Sequence, residues 1–206
     1  MCGRIVLARD WKNIAAEFAL ADAPQFPAPA GDIYPGRVAA GIVRGRENNT
    51  GVNLRWGFSL RWSGEKCRSS LLINARAETI SRKPLFRDAF QKRRCLIVAD
   101  GFYEWSKEKK HLLFCLQDKK TFGLAGIYDP EISAGGPASS FVIITTRANE
   151  LIAPFHDRMP VIISADEQTC WLDNSRFDVC KLTALLKPYP AEEMAMCKAG
   201  SDALHI

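Results

Sequence analysis

The chain has 206 residues, 47% hydrophobic and 25% charged, a globular composition that suits one well-cored domain or at most two small ones. Lys and Arg number 28 against 23 Asp and Glu, a net charge of +5 that permits a polyanionic partner without demanding one. No apolar run approaches the roughly 20 residues of a bilayer span, and the opening stretch carries Asp10 and Lys12 rather than a signal-peptide pattern; a soluble cytoplasmic protein is expected, nucleoid-associated if bacterial, with no membrane partner.

In chain order, "GRIVLA" (3–8) predicts a strand. "DWKNIAAEFAL" (10–20) predicts a helix, because Trp11, Ile14, Ala15 and Phe18 fall at helical spacing and Asp10 suits an N-cap. The Pro-rich stretch 22–36 predicts a wrapping loop. "RVAAGIV" (37–43) and "GVNLRWGF" (51–58) predict strands, and "PLFRDAF" (84–90) a short helix with Pro84 at its first position. Short β-type runs follow at 94–105, 111–118, 121–129 and 140–146, joined by connections too short for helical crossovers, so antiparallel pairing is favoured. Helices near 165–173 and 178–187 and a strand at 193–198 complete the pattern. The expected fold is α+β: a single domain over 1–206 whose mainly antiparallel sheet curls toward a barrel and is flanked by helices.

Seven cysteines (Cys2, Cys67, Cys95, Cys115, Cys170, Cys180 and Cys197) include no C-x-x-C pair. Neither a zinc site nor a disulfide framework is expected, and no metal or cofactor is implied. Cys95, Cys115 and Cys180 lie in apolar surroundings and read as core residues. The basic runs "QKRR" (91–94) and "KEKK" (107–110) read as solvated faces or turns.

Three segments carry more polar chemistry than strands need. In "INARAET" (73–79) Asn74, Arg76 and Glu78 alternate, so an extended chain puts them on one face. In "ADGFYEW" (99–105) Glu104 lies between Tyr103 and Trp105, company that can raise a carboxylate's pKa. In "PFHDRMP" (154–160) prolines bracket His156, Asp157 and Arg158. Taken singly, the first segment reads better as a solvated strand face, the second equally well as an exposed hairpin, and a lone histidine is more often structural, although the bracketing prolines suggest a rigid, shaped loop. Cys2 stands apart: once Met1 is removed it presents an α-amine and a thiol on neighbouring carbons.

"MCGR", "RWGF", "NARAET", "RRCLIVADGFYEW", "GLAGIYD", "FVIITT" and "HDRMPVII" follow one another along the chain, within a likeness that runs from residue 2 to about residue 173. In that order they resemble the SOS-response-associated peptidase (SRAP) family, whose members shield abasic sites in single-stranded DNA. The resemblance implies a covalent crosslink between an N-terminal cysteine and the abasic aldehyde. It implies Cys2 as nucleophile, Asn74 as orienting group, Glu104 as proton carrier and His156 as the acid for sugar-ring opening. It further implies room for the DNA backbone at Gly3, phosphate contacts from Arg4, Arg76 and Arg158, and base stacking or wedging by Trp56, Trp62 and Trp105. For Trp56 a core position is an equal alternative; for Trp11 and Trp171 core packing is favoured. Two departures from the family pattern are Ser59, where a proline is common, and the ending "CKAGSDALHI", which leaves the pairing of the last strand open.

The chemistry of the residues agrees. An α-amine has an ordinary pKa of about 7.7–8.0, so a useful fraction is neutral at cellular pH and can form an imine with an aldehyde. Closure by the adjacent thiol then gives a thiazolidine with intramolecular advantage. The expected partner is single-stranded DNA containing abasic sites, read with little sequence preference, and the expected state is a monomer. An N-terminal-nucleophile cysteine peptidase or autoprotease and a non-covalent single-stranded DNA-binding module remain the competing classes.

Overall fold

The structure, a computed structural model, describes residues 2–24, 27–60, 70–105, 111–130 and 139–197. Its strands are β1 (Ile5–Leu7), β2 (Gly31–Ile33), β3 (Val38–Arg44), β4 (Asn49–Trp56), β5 (Phe58–Leu60), β6 (Ser70–Leu72), β7 (Asn74–Arg76), β8 (Arg94–Ala99), β9 (Gly101–Trp105), β10 (His111–Leu116), β11 (Phe122–Pro130), β12 (Ser139–Arg147), β13 (Arg158–Pro160), β14 (Ile162–Ile163) and β15 (Met194–Cys197). The helices are α1 (Trp11–Glu17), α2 (Pro84–Lys92), α3 (Gln168–Leu172) and α4 (Val179–Ala184).

The α+β class and the curled sheet are as expected. Strands β12, β4, β3, β8 and β11 pair in that order, and β11 returns to β12, so the larger sheet closes into a ring. A second sheet runs β15-β10-β9-β1-β2, and β5 pairs with β6. Most pairings are antiparallel, but β12 pairs in parallel with β4 and with β7. Those pairings join segments far apart in sequence, which short connections do not constrain. The Pro-rich stretch is not all loop either, since its Gly31–Ile33 segment pairs with β1.

Local chemistry explains the helix starts. The Asp10 side chain accepts from the Asn13 N–H at 2.9 Å, Asp178 accepts from the Lys181 N–H at 3.0 Å, and Pro84 opens α2. Each helix buries one apolar side: Trp11 and Ile14 from α1, Phe86, Ala89 and Phe90 from α2, Trp171 and Leu172 from α3. Full burial of such side chains contributes about 1.5–3 kcal/mol each. Trp11 and Trp171 are therefore core residues, as favoured.

The basic run 91–94 departs from its expectation. Arg94 is fully buried. It donates from Nε to the Trp171 carbonyl at 2.7 Å, from Nη1 to the Phe90 and Gln91 carbonyls at 2.9 and 2.8 Å, and from Nη2 to the Asp173 carbonyl. One guanidinium thus satisfies carbonyls at the C-terminal ends of α2 and α3 and ties both to the ring. Arg93 pairs with Asp88 and Asp129. The run 107–110 lies outside the described residues.

The cysteines also divide differently. Cys95 is buried as expected, but Cys180 is exposed. Cys180 lies on the outward side of α4, whose buried residue is Leu182. Cys115 is bonded to Cys197, a crosslink between β10 and β15 that the cysteine count did not suggest. The last strand is thereby placed: β15 lies along β10, with Met194 opposite Leu116.

Candidate active site

The long run 94–105 is two strands rather than one. At Asp100 the chain leaves the ring and enters the second sheet. Gly101 opens β9 opposite Val6, and a Cβ there would sit 2.7 Å from a Leu113 methyl and 2.9 Å from the Phe114 carbonyl oxygen. Only glycine fits so close an approach. This packing brings the amino-terminal segment against β9, with Ile5 opposite Phe102 and the Tyr103 N–H donating to the Arg4 carbonyl at 2.9 Å. Alternation then divides the side chains. Phe102 joins the main core, while Tyr103 faces a smaller cluster with Val6 and Leu113. Glu104 shares the face of Phe102.

The four residues expected to carry the chemistry converge. Cys2 is fully buried, and Asn74 Nδ2 donates to its carbonyl at 2.9 Å. Asn74 reaches it from β7, whose position is fixed by the parallel pairing of Asn74 with Ile143. The other amide atom, Asn74 Oδ1, is buried without a hydrogen-bond partner. Glu104 is 1% exposed. Burial pushes its carboxyl above the usual carboxylate range, and the nearby charge of His156 opposes that shift. Burial likewise raises the Cys2 thiol, and the Glu104 carboxylate raises it further. Glu104 is thus within electrostatic reach of both Cys2 and His156.

His156 comes from the segment between β12 and β13. A helical turn there bonds the Ala153 N–H to the Asn149 carbonyl at 2.9 Å, and Phe155 packs on Phe114 of β10 at 6.1 Å between ring centroids. His156 Nδ1 accepts from the Arg158 N–H at 2.9 Å and lies 3.1 Å from an Asp157 carboxylate oxygen.

The residues expected to bind DNA fall into three groups. Arg76 is exposed at the end of β7, Trp105 is 37% exposed, and Gly3 is half-buried. Arg4 and Arg158 already hold carboxylates. Arg4 lies on the strand face opposite Glu104, bonded to Asp32 at 2.5 Å and to His111 at 2.9 Å, with its guanidinium 4.0 Å from the Tyr103 ring centre. Arg158 holds Glu78 with both Nη atoms, at 2.7 and 3.0 Å. Trp56 offers no face to a base: it is fully buried, its indole N–H donates to the Ile73 carbonyl at 2.9 Å, and it stacks on Phe141. Trp62 lies outside the described residues. Glu78 also departs from the expected single face, because β7 ends at Arg76 and Glu78 sits on a following 3-10 turn. The partnerships of Asp32, His111 and Glu78 were not expected from sequence. Glu78 alone left a signal there, through its place beside Asn74 and Arg76.

Among the described residues no cluster of His, Cys, Asp and Glu could hold a metal ion, and no helix is long and apolar enough to cross a membrane.

Known proteins share this sequence and fold. The chain is 36% identical over 212 residues to the abasic site processing protein YoqW of Bacillus subtilis, covering 98% of this chain and 93% of that one. It is 29% identical to the abasic site processing protein YedK of Escherichia coli, over 84% and 79% of the two chains. A crystal structure of a Bacteroides thetaiotaomicron protein superposes with a TM-score of 0.78 at 24% identity, over 96% and 93% of the two chains, a likeness of fold. A sequence model of the SOS response associated peptidase family matches residues 1–203. The chain belongs to the SOS response associated peptidase (SRAP) family.

Proposed function

We propose that this protein processes abasic sites in single-stranded DNA by bonding to them covalently through Cys2, with Met1 removed. The observation that carries the reading is the convergence on Cys2 of Asn74, tethering its carbonyl, and of the buried Glu104. The names of the relatives support abasic-site processing as the activity.

The two raised pKa values order the steps. A buried, protonated thiol is a poor first nucleophile. The α-amine of Cys2 therefore attacks C1′ of the ring-opened sugar first, forming a C–N bond while the carbonyl oxygen takes up a proton. The His156 imidazole is suited to supply the proton that the sugar ring oxygen takes up as the ring opens. Loss of water from the carbinolamine gives the imine, with Glu104 removing a proton from nitrogen and returning one to the departing hydroxyl. A carboxyl that burial holds above the usual carboxylate range can do both. The thiol sulfur then adds to the imine carbon, its proton passes to nitrogen, and a five-membered thiazolidine results. No electrons are gained or lost. Asn74 Oδ1 is available to accept from the attacking amine. Exposed Arg76 and Trp105 supply phosphate and stacking contacts at the rim.

Cys2→Ala tests the reading: the denaturation-resistant DNA adduct should vanish while weak DNA binding persists. Cys2→Ser should still form the imine or a less stable oxazolidine. A Cys2→Ala protein that crosslinks like its parent would overturn the assignment.

A further inference from the structure

The Nη1–Nη2 edge of the Arg158 guanidinium is already occupied. Nη1 and Nη2 hold Glu78, Nη2 also donates to the Thr145 carbonyl and hydroxyl, and Nε is buried. The Arg158 side chain is 14% exposed, beneath a partner that reaches solvent. Thr145 and the β13 pairing with β12 fix the arginine. Glu78, in contrast, is half exposed on a 3-10 turn. A carboxylate on a two-donor arginine edge has the geometry of a bound phosphate.

We propose that Glu78 is a specificity-determining residue: its carboxylate occupies the phosphate edge of Arg158 and must be displaced by a backbone phosphate before a strand seats at the Cys2 site. This rests on the reading of the site as one for single-stranded DNA. Beside Glu78 a groove of about 440 Å3, bordered by Ser81, Arg82, Thr146, Arg147 and Lys187, can receive the displaced carboxylate. Arg82 and Arg147 on that rim are exposed cations. Because the Glu78 side chain is half in solvent, the competition is mild. It sets a threshold that a loosely held intact strand clears less readily than one also anchored at Cys2.

The test is equilibrium binding of the full protein to an intact oligothymidylate, by fluorescence anisotropy over a salt series. Glu78→Gln should bind about two- to fivefold tighter than the parent. Its salt dependence should steepen by roughly 0.7 in log–log slope, as for one added phosphate contact. Glu78→Asp, too short to span the edge but still charged, should share part of the gain. Arg158→Gln should cancel the gain when combined with Glu78→Gln. Unchanged or weaker binding by Glu78→Gln would overturn the proposal, and so would a gain that survives the loss of Arg158. The crosslinking reading is judged separately on the parent. An adduct without the Glu78→Gln gain leaves crosslinking standing and sinks the gate. The gain without an adduct leaves a gated, non-covalent DNA binder.

Discussion

Asp100 and Glu104 stand at the two ends of β9, and both are buried, at 4% and 1% exposure. Asp100 is held by fixed donors: one oxygen accepts from the Ala8 N–H at 2.7 Å, the other from the Thr121 hydroxyl at 2.7 Å, with Arg9 Nε at 3.5 Å. It locks the amino-terminal segment to the crossing between the two sheets. Glu104 sits instead among groups that can exchange protons or charge, Cys2 and His156, and burial holds its carboxyl above the usual range. Burial alone does not separate a structural carboxylate from a reactive one. The neighbours do: a backbone amide and a hydroxyl for the first, a thiol and an imidazole for the second.

The contrast breaks most readily at Glu104. Glu104→Gln should slow adduct formation by about 10²–10⁴-fold, the range of a lost general acid–base, while intact DNA still binds. Single-turnover gel kinetics read this, and an unchanged rate would move Glu104 to the structural class. Asp100→Ala should do the reverse. It strands the Ala8 N–H and the Thr121 hydroxyl, so it should cost about 2–4 kcal/mol of stability. For a chain of this length that is a drop of roughly 5–10 °C in Tm, with the adduct rate near that of the parent well below the new midpoint. A larger kinetic defect for Asp100→Ala than for Glu104→Gln would dissolve the distinction.

The pH dependence of stability sharpens it further. The folded protein holds the Glu104 proton to higher pH than the unfolded chain, so across that window the native state binds more protons. Stability from Glu104 therefore falls as pH rises from the ordinary value of 4.5 through its raised value. Glu104→Gln should flatten this limb and raise Tm at neutral pH, as denaturation at several pH values would reveal. The smallest effect belongs to Glu78, which hydrogen bonds from Arg158 hold below its ordinary value. Its contribution is full above the ordinary value of 4.5 and is lost as pH falls from there through the lowered one. Glu78→Gln should remove under about 1 kcal/mol, because the carboxylate is half exposed.

The helices and most strands were legible because their signals are local: Asp10 before α1, Pro84 opening α2, and β-type runs broken by turns. Cys2, Asn74, Glu104 and His156 were legible as a set through the ordered motifs of a family. The parallel pairings of β12, the break at Asp100 and the Cys115–Cys197 bond depend on segments distant in sequence. Arg94 looked like solvent-facing charge because the carbonyls it satisfies, those of Phe90, Gln91, Trp171 and Asp173, meet only in the fold. For Trp56 stacking and core packing stood level, because no local pattern shows that Phe141 and the Ile73 carbonyl enclose it.

Intact mass spectrometry of the purified protein, before and after incubation with uracil-excised single-stranded DNA, tests the Cys2 chemistry most directly. The expected result is a mass lacking methionine, followed by a denaturation-resistant adduct that maps to Cys2. A protein that has lost its methionine and yet forms no adduct with such DNA would contradict it.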